Sequence, residues 1–245
     1  MRNFKLILSY DGSRYRGWQR QGNTGNTIQG KLEAALGRLL EQEIELNGSG
    51  RTDAGAHAEM QVASFRAETA LTADEILKKL RAVLPEDIAA LSLCDAPPRF
   101  HARLSCTGKT YIYRVWNSPC PDVFRRRYLW RIDEKLDIPA MRSAAGRLLG
   151  SHDFSAFCSN KRMKKSAVRR IDRIDIEVLG SELRFTLSGD GFLYNMVRII
   201  VGTLIEVGRG GMTADGVSFA LSSLDRSFAG PTAPAQGLCL TEVKY

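Results

Sequence analysis

The stretch Thr72-Ala73-Asp74-Glu75-Ile76-Leu77-Lys78-Lys79-Leu80-Arg81-Ala82-Val83-Leu84-Pro85-Glu86-Asp87-Ile88-Ala89-Ala90-Leu91-Ser92-Leu93 sets the fold class. Thr72 followed three residues later by Glu75 is a capping box ahead of an apolar run. Ile76, Leu77, Leu80 and Leu84 recur at helical spacing, Pro85 stops the helix, and Ile88 to Leu93 reads as a strand. Upstream, Gln61 to Phe65 and Ile44 to Leu46 read as two short strands. Before them a helix begins near Thr27, with Ile28, Leu32, Leu36, Leu39 and Leu40 on one face. Phe4, Leu6 and Leu8 alternate along Phe4 to Tyr10 as in a half-buried strand, and a polar, Gly-rich loop runs from Asp11 to Asn26. The order is strand, helix, strand, strand, helix, strand.

Downstream the order recurs. Thr110 to Trp116 reads as a strand, and a helix runs from the Asp137 cap and Pro139 to Gly150. Arg170 to Leu179 and Glu182 to Leu187 form a hairpin around Gly180-Ser181, a long apolar helix spans about Leu193 to Val207, and Leu238 to Val243 is a closing strand. Two βαββαβ units in tandem are the ferredoxin-like signature. They predict an α+β protein with mainly antiparallel sheets flanked by helices and an active-site cleft between the halves. Consecutive prolines break helix and sheet alike, so Pro97-Pro98-Arg99 marks the boundary between an N-terminal domain, 1–98, and a C-terminal domain, 99–245.

The 245 residues carry 35 Lys and Arg against 27 Asp and Glu, a formal charge of +8. With 44% hydrophobic and 25% charged residues, the composition excludes a disordered or fibrous chain. No apolar run approaches the roughly 18 residues of a membrane span, and Met1-Arg2-Asn3-Phe4-Lys5 leads into a strand rather than a signal peptide. The expectation is a soluble, cytoplasmic protein without membrane contact. Cys94, Cys106, Cys120, Cys158 and Cys239 are odd in number and lack a C-x-x-C pair, which favours reduced thiols over disulfides or structural zinc. The positive charge is a weak pointer to a polyanionic partner.

The most unusual segment is Asn47-Gly48-Ser49-Gly50-Arg51-Thr52-Asp53-Ala54-Gly55-Ala56-His57-Ala58-Glu59, which lies where a short hairpin turn would have sufficed. Its glycines allow the backbone to approach a ligand closely, and Arg51 and Asp53 stand two apart with opposite charge. A Gly-rich loop with an Asx-turn at Asp53 and a solvated arginine is the plain alternative. Arg198 adds a second oddity. Met196, Val197, Ile199, Ile200, Val201, Leu204 and Ile205 make its helix apolar on nearly every face, and a buried arginine needs a carboxylate. Asp53 is one candidate partner, and a structural pair with another acid fits the pattern equally well.

His57-Ala58-Glu59 with Pro119-Cys120 is similar to the zinc deaminase pattern H-x-E…P-C-x-x-C, but the residue three beyond Cys120 is Val123 and the second thiolate is missing. His101 and His152 have no spacing that suggests a metal, and read as packing or RNA-contacting residues. Gly208-Arg209-Gly210-Gly211 lacks the Lys-Ser/Thr of a P-loop, and no dinucleotide fingerprint occurs. Neither metal nor organic cofactor is expected. Basic residues cluster: Arg14, Arg16 and Arg20 around Tyr15 and Trp18; Arg125, Arg126 and Arg127 before Tyr128 and Trp130; and Lys161, Arg162, Lys164, Lys165, Arg169 and Arg170. Cationic loops interleaved with aromatics favour a structured RNA as partner.

These motifs together resemble tRNA pseudouridine synthase A, nearly end to end. Gly50-Arg51-Thr52-Asp53-Ala54-Gly55 with His57-Ala58 looks like the family's catalytic loop. Tyr10-Asp11-Gly12, Gly17-Trp18-Gln19 and Thr27-Ile28-Gln29-Gly30 match its N-terminal motif. Phe100-His101-Ala102-Arg103 and Lys109-Thr110-Tyr111-Ile112-Tyr113 match the middle. Asn195-Met196-Val197-Arg198 and Ala233-Pro234-Ala235-Gln236-Gly237-Leu238 match the C-terminal half. Ser49 stands where the family usually has Ala, and Glu59-Met60 replaces a more apolar-and-glycine pair. The resemblance implies isomerisation of uridine to pseudouridine at positions 38, 39 and/or 40 of the tRNA anticodon stem-loop, by a homodimer without metal or cofactor. It also implies Asp53 as the essential carboxylate, Tyr111 in contact with the target base, Arg198 paired with Asp53, and Arg51 displacing the target nucleotide. Two rivals differ in class or substrate: an RNA-binding module without catalysis, and a pseudouridine synthase for another RNA.

Overall fold

The computed structural model describes residues 1–160 and 166–245; Lys161, Arg162, Lys164 and Lys165 of the third basic cluster lie outside them. The protein is α+β, and its chain divides into two compact units, Met1–Thr107 with Cys239–Tyr245, and Gly108–Leu238.

In the first unit, β1 (Arg2–Tyr10) buries Phe4, Leu6, Leu8 and Tyr10 on one side, as its alternation predicts. It lies between β3 (His57–Ala67) and β4 (Ile88–Asp95), antiparallel to both, with Phe4 opposite Phe65 and Asp95. The Phe4 and Phe65 rings stack at 5.1 Å. Helix α1 (Ile28–Leu40) starts at Thr27, whose hydroxyl accepts from Gly30 N–H, and buries Ile28, Leu32 and Leu36. Helix α2 (Ala73–Val83) has both halves of its capping box, Glu75 N–H to Thr72 and Thr72 N–H to the Glu75 carboxylate, and ends before Pro85.

The strand expected at Ile44 to Leu46 is displaced. Ladder pairing is confined to β2 (Asn47–Gly48), which joins β3 at Ser64 and Ala63. The reason lies in α1: Leu46 N–H donates to Glu33 Oε1 and the Leu46 carbonyl accepts from Gln29 Nε2, each at 3.0 Å, so helix side chains replace a strand neighbour. The unit also extends past Pro97-Pro98. Asn3 Nδ2 donates to the carbonyls of Pro97 and Phe100, Ala102 N–H to Ser64, and Thr107 N–H to Lys244. The last strand, β10 (Leu238–Lys244), runs parallel to β3, with Cys239 opposite His57 and Leu240 opposite Ala58.

In the second unit, β5 (Gly108–Asn117) pairs with the parallel β6 (Trp130–Ile132) and the antiparallel β9 (Glu182–Gly189). Next come β8 (Val168–Leu179), joined to β9 through Gly180 at φ +63°, and β7 (Gly150–Asp153). Helix α3 (Ile138–Gly146), capped by Asp137, packs on α4 (Met196–Gly208) and α5 (Ala214–Ser223). This half does not merely repeat the first. The helix expected to reach Gly150 ends at Gly146, and β6, β7 and α5 are additional. Helix α5 escapes a periodicity reading because Gly216 and three serines interrupt it, although Thr213 caps Gly216 N–H and Val217, Ala220 and Leu221 are buried. Helix α4 is buried as expected, apart from half-buried Arg198 and Glu206. Among the described residues, no helix is long and apolar enough to cross a membrane.

Candidate active site

The loop from Ser49 to Ala56 is held from both sides. Trp18 N–H donates to the Thr52 carbonyl at 3.1 Å, and Gly55 N–H to the Tyr15 carbonyl at 3.3 Å. Ala56 N–H closes a tight turn onto the Asp53 carbonyl at 3.1 Å. Below the loop, the fully buried Gln61 side chain accepts from Ser49 Oγ at 2.7 Å and donates to the Gly50 carbonyl at 3.1 Å. Ser49 therefore has a specific partner. The Tyr10 hydroxyl meets Thr52 Oγ1 at 2.8 Å, and burial pushes the phenol well above its ordinary pKa despite hydrogen bonds with Thr52 and Gln61. Asp53 is half-buried and Arg51 exposed, and the guanidinium is tethered through Nε to Gln19 Oε1 at 2.9 Å.

The N-terminal motif thus packs against the candidate site, a role sequence reasoning did not assign to Tyr10, Tyr15, Gly17, Trp18 or Gln19, nor to Gln61 beneath the loop. Position in a polar loop was the available signal, but the loop's partner is some 35 residues away in sequence. Its own footing is Asp87, where Tyr15 Oη donates to Oδ1 at 2.5 Å and Arg14 Nη2 to Oδ2 at 2.6 Å. Burial opposes the Asp87 charge, yet the bonds from Tyr15 and Arg14 outweigh it and hold the carboxyl below its ordinary range.

Tyr111 and Arg198 belong to the second unit. Tyr111 is buried on β5, with Phe192 edge-on at 5.2 Å. Arg198, half-buried on α4, donates from Nε to the Ala233 carbonyl at 2.7 Å and from Nη1 to Asn195 Oδ1 at 3.1 Å. The adjacent Pro234 carbonyl accepts from Tyr113 Oη at 2.7 Å, and Gln236 Nε2 donates to the Leu129 carbonyl at 2.8 Å. Burial raises the Tyr113 phenol pKa against the opposing field of Arg198. The segment Ala233 to Gln236 is therefore a scaffold for the Arg198 side chain.

The three histidines have local roles. His57 Nδ1 accepts from Gly12 N–H at 3.1 Å, His101 Nδ1 from Arg103 N–H at 3.1 Å, and His152 packs edge-on against Phe154. Among the described residues, no group of three or more His, Cys, Asp or Glu is arranged to hold a metal ion. Several clustered arginines are internally paired: Arg20 with Glu33, Arg125 with Asp122 and Glu182, and Arg170 with Asp172.

A family model described as tRNA pseudouridine synthase matches residues 6–104 and 144–245. A Bacillus cereus protein named tRNA pseudouridine synthase A 2 is 42% identical over the whole of both chains. A Moorella thermoacetica protein named tRNA pseudouridine synthase A is 44% identical over 98% of each. The chain belongs to the tRNA pseudouridine synthase family and is an enzyme of the isomerase class. Among solved structures, a Cbf5-Nop10-Gar1 complex aligns with 97% of this chain and 48% of its own, at 12% identity and a TM-score of 0.36, so the chain spans about half the length of that one.

Proposed function

We propose that the protein converts uridine to pseudouridine at positions 38, 39 and/or 40 in the anticodon stem-loop of tRNA, with Asp53 as the essential carboxylate and without a cofactor. The observation that carries this reading is the bracing of the Asp53 loop. Its backbone is clamped by Trp18 and Tyr15 and supported by Gln61, while Asp53 itself stays half-exposed. A carboxylate presented from a rigid, partly open loop is suited to act on a bound nucleotide.

The reaction breaks the bond between uracil N1 and ribose C1′, turns the base, and joins C5 to C1′. The C5 proton leaves and N1 ends protonated, so atoms balance without an oxidant or reductant. The base must leave its stack first. The carboxylate has three competent roles, attack at C1′, attack at C6, or removal of the C2′ proton, and each needs it ionised and in place. Following the motif, Arg198 is the cationic partner that keeps it so, Tyr111 contacts the uracil, and Arg51 holds the displaced nucleotide. The acting unit is a homodimer in the cytoplasm.

Tritium release from tRNA transcripts labelled at uridine C5 reads the new C–C bond directly. Wild-type protein should release tritium, and Asp53→Ala and Asp53→Asn should lose release while keeping tRNA affinity. Full turnover by Asp53→Asn would overturn the role of Asp53. Tight tRNA binding without release by the wild type would favour a binding module, and release only from ribosomal RNA a different substrate.

A further inference from the structure

Glu33 and Gln29 are one turn apart on α1, and both are buried at 8% exposure. From them a continuous line of hydrogen bonds reaches the Asp53 loop. Gln29 Nε2 donates to Glu33 Oε1 at 2.8 Å, Gln19 Nε2 donates to Gln29 Oε1 at 2.8 Å, and Arg51 Nε donates to Gln19 Oε1 at 2.9 Å. The line borders a cavity of about 250 Å³ whose walls include Trp18, Gln19, Gln29, Arg51 and Arg103.

The direction of the line is set by chemistry. An ionised carboxylate only accepts, so Glu33 obliges Gln29 to turn its NH₂ inward. Two main-chain groups agree: the Leu46 carbonyl can only accept from that NH₂ and the Arg20 N–H can only donate to the Gln29 oxygen, at 3.0 and 2.9 Å. The Gln29 oxygen in turn draws the Gln19 NH₂, which leaves the Gln19 oxygen as acceptor for Arg51. Glu33 is further held by Leu46 N–H and by Arg20 Nη1. A carboxamide could otherwise flip and present a donor to a guanidinium, which has no acceptor.

We propose that Gln19, oriented through Gln29 by the buried Glu33 carboxylate, is the positioning residue for the Arg51 guanidinium. This rests on the reading of Arg51 as a group that engages the substrate. Among the described residues the tether engages only Nε, so the guanidinium is aimed while its terminal nitrogens are left for an anionic or polar group of the RNA.

The test is a double-mutant cycle in the tritium-release assay, with the full chain and labelled tRNA transcripts. Arg51→Ala should lower turnover to a residual rate that excess enzyme still makes measurable. Gln19→Met, similar in length but unable to hydrogen-bond, should lower kcat by about 10- to 100-fold with a smaller change in KM. In the Arg51→Ala background the same change should have less than a twofold effect, because Gln19 acts through Arg51. Gln19→Glu, which retains the acceptor, should recover part of the loss. An equal loss from Gln19→Met in both backgrounds, or no loss in the wild-type background, would overturn the proposal while Arg51 stood. Full turnover by Arg51→Ala would instead overturn the reading of Arg51, and the positioning role with it. If Gln19→Met failed to fold, Gln19→Ala, which removes the acceptor for Arg51 without adding bulk, should give the same non-additivity with Arg51→Ala, and additive losses would again overturn it.

Discussion

Gly17 lies so close against Thr52 that a Cβ on Gly17 would stand 2.8 Å from the Thr52 carbonyl oxygen, and it would also meet Ala54 N at 3.1 Å and the Asp53 carbonyl carbon at 3.2 Å. The backbone there has φ +91°, which L side chains rarely adopt. The two loops are therefore in contact main chain to main chain, and the position of Asp53 depends on a residue 36 places earlier. Gly17→Ala is expected to cost about 1–3 kcal/mol of stability. It should also lower turnover on tRNA more than tRNA affinity, since the basic surface is untouched. Thermal unfolding and tritium release measure the two effects, and unchanged turnover would show that this contact does not position the loop.

The Tyr15–Asp87 bond gives the same loop a pH-dependent anchor. The Asp87 pKa is lowered in the folded protein, so its contribution to stability is present above the ordinary carboxylate value of about 3.9 and is lost as pH falls through the folded value. Asp87→Asn should cost about 1.5–3 kcal/mol near pH 7, the scale of a hydrogen bond to a charged group. It should also flatten the loss of stability on acidification. Melting curves from pH 7 downwards check this: parallel wild-type and variant curves would show that Asp87 does not carry that share of acid sensitivity.

Thr203 tests the scaffold behind Arg198. Its hydroxyl is fully buried on α4, donates to the Ile199 carbonyl at 2.8 Å and accepts from Gly230 N–H at 2.9 Å. Thr203→Val keeps the shape and strands the Gly230 N–H, which should cost about 1–3 kcal/mol, or a fall in Tm of roughly 2–12 °C for a chain of this size. Because Gly230 leads into the segment whose Ala233 carbonyl holds Arg198, turnover measured well below Tm should fall as well. A stability loss with full turnover would confine Thr203 to folding.

Much of the architecture was legible because it is written in short-range periodicity. Alternation marked β1, the 3.6-residue repeat with its capping box marked α2, and Gly180-Ser181 marked the β8–β9 turn, each from residues adjacent in the chain. The candidate site was legible in part as a pattern, since Arg51, Thr52 and Asp53 stand together in one glycine-rich loop. The partners that hold that loop were not, because hydrogen bonding between loops leaves no periodic trace.

By itself, then, the sequence determined the element order of the first half, the burial of α4 and the family's motifs, all carried by spacing or residue identity. Only the tertiary structure decided that helix side chains satisfy the Leu46 main chain, that the final strand lies parallel to β3, and that Glu33 is linked to Arg51 through two glutamines. The physical reason is common to all three. A main-chain or carboxamide group takes whichever partner the fold brings within 3 Å or so, and that choice is made by contacts between segments far apart in the chain.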